Sequence, residues 1–239
     1  MQPGLTAPID CNVQLWDFAF AGSDISTDFT PLHHNYTVPF EDQIPQFVTY
    51  GQPALDHVIS KPRALVGVWI GINDISDSDK YNVSFPAFYD TLITRQFSAM
   101  GKLYSLGYKN YLVMNLPPLD KTPSNQASRT PLPNATMVGW WNDALAKHAS
   151  AFARNNTGST VLQFDAHAAL VDIFDNATQY GITNTTGYCA SYDQPNINTD
   201  PASYGCLPLS QYFWFNTGHL TSHVHQILAG KLKAWLEKQ

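Results

Sequence analysis

A chain of 239 residues, 44% of them hydrophobic, is long enough to bury the core of one sizeable domain. Its net charge of −6 offers no basic footprint, which excludes nucleic acid as an expected partner. No apolar run approaches the ~20 residues of a membrane span. Charged residues are only 13% of the chain, so Ser, Thr, Asn and Tyr must carry much of its solubility.

In chain order, Asn12 to Phe20 reads as a strand that delivers Gly22 into a turn, and a short helix is expected from Asp42 to Phe47 and on past Val48. Ala64 to Ile70 is a near-continuous apolar run, the pattern of a strand buried on both faces. Phe88, Leu92, Ile93, Phe97, Met100 and Leu103 recur at helical spacing and predict a helix from about Pro86 to Leu106, with Gly107 as its stop. Asn110 to Asn115 is the next strand, closed by Pro117 and Pro118, and Met137 to Asn155 the next helix. Thr160 to Phe164 is predicted as a strand, His167 to Asn176 as a helix, residues 180–212 as a long polar loop, and Leu220 to Leu236 as a closing amphipathic helix. Alternation on this scale predicts α/β architecture with a mostly parallel sheet, in one domain spanning 1–239. Ligands of such sheets bind beyond the strand C-termini, where Gly22 and Asn73 both fall.

Six sequons, at Asn35, Asn82, Asn134, Asn155, Asn176 and Asn184, exceed the roughly two expected by chance. They point to a secreted glycoprotein, although Met1 to Thr6 has no signal-peptide pattern, and truncation upstream would reconcile the two. Cys189 and Cys206 flank a Pro/Asn/Asp-rich loop that a disulfide would stabilise, leaving Cys11 over.

Three positions could carry chemistry. An Asn73 amide held after a buried strand can stabilise an oxyanion, or can simply form an Asx turn with Asp74. Gly22 can present a backbone N–H, or can serve only a tight turn. His219, ahead of the last helix and beside several aromatics, can act as a base, or make local hydrogen bonds. The i, i+4 pair His219 and His223 lacks further ligands at metal spacing, and His33, His34 and His167 read as loop or capping residues, so no metal is expected.

Taken together, these motifs resemble the SGNH (GDSL) hydrolases, specifically the fungal acetylesterases among the carbohydrate esterases. Leu15 to Ser23 is similar to that family's second block, and the resemblance implies that Gly22 supplies an oxyanion-hole amide. Gly71–Ile72–Asn73–Asp74 resembles the third block and implies the same for the Asn73 side chain. Asn115 to Asp120 is similar to the family's "NVPPxD" strand end, and Phe215 to Thr221 resembles the fifth block, where His219 would be the base. Asn216 stands where many members carry the triad Asp. The Gly-Asp-Ser block with the nucleophile is absent from the 239 residues, and Ser23 sits in the second block's place rather than the first's.

The resemblance implies a three-layer, flavodoxin-like α/β fold lacking its first strand, in a secreted monomer. It implies an acetylesterase acting on acetylated sugars, hemicellulose oligosaccharides or small esters, without metal or organic cofactor. The alternative is a non-catalytic carbohydrate binder using Trp69, Trp140, Trp141, Tyr212 and Trp214.

Overall fold

A computed structural model describes residues 13–239; Cys11 and the expected strand start at Asn12 lie outside the described residues. Three strands, β1 (Leu65–Val68), β2 (Asn110–Met114) and β3 (Thr160–Phe164), form a parallel sheet in the order β1-β2-β3. Among the described residues eight α-helices surround or cap it: α1 (Phe40–Gln46), α2 (Gln52–Leu55), α3 (Ile72–Asp77), α4 (Phe85–Ser105), α5 (Pro123–Ala127), α6 (Ala135–Asn155), α7 (Ala166–Asp175) and α8 (Ser222–Leu236). The strands and long helices fall where periodicity placed them. Gly107, at φ +99°, closes the turn after α4 as expected.

The period of two in β2 sorts the molecule into layers. Tyr111 and Val113 face one cluster with α1, α4 and α6, where Ile44, Leu92, Met100 and Trp141 are buried. Leu112 faces the other, with Leu170 and Ile173 of α7 and Val224 and Leu228 of α8. This is the three-layer α/β architecture expected from the sequence. Each such fully buried side chain contributes about 1.5–3 kcal/mol by leaving water.

Two expectations need correction. Residues 13–20 form no strand, and Val13 and Leu15 are 89% and 88% exposed. An extended segment becomes a strand only by pairing its backbone groups, and among the described residues β1 pairs with β2 alone. β1, moreover, is covered on one face, not both. Val66 and Val68 pack on the α4/α6 side, whereas Leu65 remains 46% exposed.

The long loop is tied as expected. A Cys189–Cys206 disulfide closes it, and Ile197 and Tyr212 are buried against the bridge. A link over this separation stabilises by about 3 kcal/mol in the chain-entropy picture. No helix among the described residues is long and apolar enough to cross a membrane.

Between β1 and α3 the chain turns at Gly71, with φ +116° and no room for a side chain: a Cβ there would sit 2.2 Å from Cζ2 of buried Trp141. Gly71→Ala is expected to lower the unfolding free energy by about 3 kcal/mol or more in urea titrations. Gly139→Ala, in α6 with open space around it, is expected to raise it by about 0.5–1 kcal/mol. Equal effects at the two positions would contradict this account of the β1–α3 turn.

Candidate active site

Gly71 places α3 so that its first two polar residues reach the turn after Phe20. The Asn73 amide Nδ2 donates to the Ser23 carbonyl at 2.9 Å, and the Ile25 N–H donates to Asp74 Oδ1 at 2.9 Å. One side chain thus gives a hydrogen bond to the turn and its neighbour receives one. Gly22 lies within this turn at φ +71°, and a Cβ on it would meet the His33 Cβ at 2.9 Å. Further bonds knit the segment in place: Thr37 Oγ1 donates to the Ala21 carbonyl, Ser23 Oγ to the Val38 carbonyl, and Gln43 Nε2 to Ser23 Oγ. Ser23 is buried and its hydroxyl is engaged on both sides.

An amide nitrogen carries two protons. The Ser23 carbonyl takes one from Asn73 and thereby fixes the plane of the group, leaving the second to point elsewhere. The Asx-turn alternative is not what forms: the partners of Asn73 and Asp74 are about fifty residues away in sequence.

The other candidate residues lie on the loop between Trp214 and Leu220, which pair as an antiparallel bridge. Phe215 N–H donates to the His219 carbonyl at 2.7 Å, and Ser124 N–H of α5 donates to the Thr217 carbonyl at 2.9 Å. Asn216 Oδ1 accepts from the backbone N–H of Gly218 at 3.1 Å and of His219 at 2.9 Å, and lies 2.9 Å from His219 Nδ1. An atom that accepts two backbone N–H groups must be the amide oxygen. His219 therefore carries its proton on Nδ1 and presents a free lone pair at Nε2. Thr221 then caps α8 through the Val224 N–H.

The structure thus joins Asn216 to His219, and Asn73 to the Gly22–Ser23 turn. His223 is committed elsewhere, its Nε2 lying 2.8 Å from the Tyr180 carbonyl. His167 sits at the start of α7, where Asp165 caps the helix and Asn115 Oδ1 accepts the His167 N–H. The aromatic platform expected for a sugar binder is largely core: Trp141, Trp214 and Tyr212 are buried, and Trp69 donates its N–H to the Asn115 carbonyl. Two cavities of about 280 and 210 Å³ lie elsewhere, one at Phe97, His148 and Phe152, the other at Asn142, Gln163 and Asp165.

Sequence reasoning missed the buried carboxylates beneath the Gly22–Ser23 turn, since nothing local marks them. Asp74 is fully buried, and burial, with the charge of Asp24, pushes its carboxyl well above the usual range. Burial likewise pushes Asp24 up to about 6, against the opposing pull of His33. Carboxyls with raised folded-state pKa values hold protons that the unfolded chain releases above its own value of 3.8. Their stabilising effect is complete below that value and is lost as pH rises through the folded-state pKa, about 6 for Asp24. Unfolding free energy is therefore expected to fall by about 3 kcal/mol between about pH 4 and pH 7 through Asp24, with Asp74 acting in the same direction. Asp74→Asn, which still offers Ile25 an acceptor, should flatten that fall in urea titrations. An unchanged profile in the variant would contradict the assignment.

A profile of the family described as GDSL-like Lipase/Acylhydrolase matches residues 3–232. An acetylesterase of Thermothelomyces thermophilus is 28% identical over 222 residues, covering 90% of this chain and 66% of the relative. An acetylesterase of Hypocrea jecorina is 21% identical over 259 residues, covering 90% of this chain and 70% of the relative. A GDSL esterase/lipase of Arabidopsis thaliana is 24% identical over 196 residues, with 73% and 54% covered. The chain thus spans between 54% and 70% of the length of these relatives.

Proposed function

The chain belongs to the GDSL-like lipase/acylhydrolase family, and on that premise we propose that it carries the oxyanion hole and the base of a serine acetylesterase. The observation that carries the reading is the Asn216–His219 contact, because it leaves Nε2 as the basic nitrogen. Nε2 takes the proton of a serine hydroxyl as the oxygen attacks the acyl carbon. The carbonyl π bond opens, and the resulting oxyanion receives the Gly22 N–H and the second amide proton of Asn73. The His219 imidazolium then protonates the departing alcohol as the C–O bond breaks. Water, deprotonated by the same nitrogen, hydrolyses the acyl-enzyme and restores the serine.

Asn216 orients the ring as a carboxylate would, but adds no negative charge to steady the imidazolium. Asp-to-Asn in a serine protease triad costs about 10⁴ in kcat. There, however, the amide favours the wrong tautomer, whereas here its oxygen faces Nδ1, so orientation is retained and only the charge is forgone.

The serine is assigned to a Gly-Asp-Ser segment outside these 239 residues, since Ser23 is buried and bonded. The names of the two fungal relatives support acetyl esters as substrates, and acetylated sugars or hemicellulose fragments are the class we assign. The disulfide fits an oxidising compartment. The sequon residues Asn35, Asn82, Asn134 and Asn155 are exposed. Both features support a secreted, glycosylated protein.

The test is hydrolysis of 4-nitrophenyl acetate by this chain and by one extended upstream through the first in-frame Gly-Asp-Ser. The extended protein should be active, lose at least ~10³ of kcat with His219→Ala, and lose about 10²–10³ with Asn73→Ala at nearly constant KM. Equal activity in both chains, or full activity without His219, would overturn the reading.

A further inference from the structure

Beneath the oxyanion turn three side chains distant in sequence converge. His33 Nε2 lies 3.1 Å from Asp77 Oδ2 and 3.6 Å from Asp24 Oδ2. One ligand-capable atom from each residue lies within 4.8 Å of the other two. Asp24 and Asp77 are buried, while the His33 ring is 29% exposed and leaves a way in from solvent. Lys80 Nζ holds the other oxygen of Asp77, Oδ1, at 2.6 Å, so Oδ2 remains turned toward the cluster.

Asp24 is the second observation. It is 1% exposed, yet neither of its carboxylate oxygens accepts a hydrogen bond. The Thr30 hydroxyl lies close enough to ease its charge but donates to the Ser26 carbonyl at 3.4 Å. Fully buried Asp74 beside it leaves Oδ2 without a partner as well. Buried carboxylates are ordinarily satisfied by hydrogen bonds, ion pairs or metal. Here Asp24 and Asp77 share one imidazole, and the one ammonium pairs with Asp77 alone.

We propose that Asp24, His33 and Asp77 bind one divalent transition-metal ion of the zinc type. Zinc bonds of about 2.0–2.2 Å in a tetrahedron set neighbouring ligand atoms roughly 3.2–3.6 Å apart, and both His33 contacts fall close to that range. An imidazole nitrogen with two carboxylate oxygens matches zinc rather than calcium, which takes six to eight oxygens. The ion links the 22–25 turn, the His33 segment and the end of α3, three pieces joined otherwise by side-chain hydrogen bonds. Asp24 follows the residue whose carbonyl orients Asn73, so the ion braces the oxyanion turn from behind. The site does not depend on the ester chemistry proposed above.

The test uses the whole chain after EDTA dialysis, with Zn²⁺ titrated calorimetrically and in thermal melts, and Co²⁺ as a spectroscopic stand-in. One equivalent should bind, raise the melting temperature, and give the visible absorption of a four-coordinate Co²⁺ site. His33→Gln preserves the Cβ that packs on Gly22 and should weaken binding at least tenfold while the metal-free protein still melts cooperatively. Asp24→Asn should raise the metal-free melting temperature and remove the Zn²⁺ response. Absence of a Zn²⁺ response in the unmodified chain, or a response that survives His33→Gln, would overturn the proposal. So would one lost with His223→Gln instead, which would place the ion on α8.

Discussion

Two adjacent side chains at the start of α3 hold the site's first half. Asn73 gives a hydrogen bond to the Ser23 carbonyl and Asp74 takes one from the Ile25 N–H. Between them they satisfy a backbone stretch that no neighbouring strand satisfies among the described residues. A side-chain grip of this kind needs a rigid base, which is why the β1–α3 turn is pressed so closely on Trp141 that only a glycine fits. Burying Asp74 is the cost: a carboxyl with one bonded oxygen and one orphaned oxygen is tolerable mainly in its protonated form.

The second half follows the same logic of backbone held by a side chain. Asn216 gathers two N–H groups and the imidazole onto one oxygen, so the loop conformation and the histidine tautomer are a single decision. A carboxylate at this position would do the same and add charge. An alanine would release all three donors. The proposed chemistry therefore rests on orientation more than on electrostatic support.

Much of this was legible in the sequence. The helical spacing of Leu92, Ile93, Phe97 and Met100, the short apolar runs of β2 and β3, and the two cysteines around a polar loop each encode their structure locally. Gly22, Asn73, Asn216 and His219 stand out in the sequence through the order of their motifs, and the structure pairs Asn73 with the Gly22–Ser23 turn and Asn216 with His219. What failed depends on neighbours rather than on local pattern. Residues 13–20 alternate like a strand but pair with nothing among the described residues, and β1 reads as doubly covered but is covered once. Trp141 and Trp214 could have been rim or core, and only packing decides. The convergence of Asp24, His33 and Asp77 is invisible to any spacing rule, because three separate segments supply one ligand each.

The central claim is that Asn73, held by Ser23, polarises an ester carbonyl. Difference infrared spectroscopy of a ¹³C-carbonyl-labelled acetylated xyloside bound to this chain tests it without turnover. The account predicts a carbonyl stretch displaced to lower frequency relative to water, and relaxed back toward the aqueous value in Asn73→Ala. A stretch that is not displaced in the unmodified chain, or displaced equally in both, would contradict it.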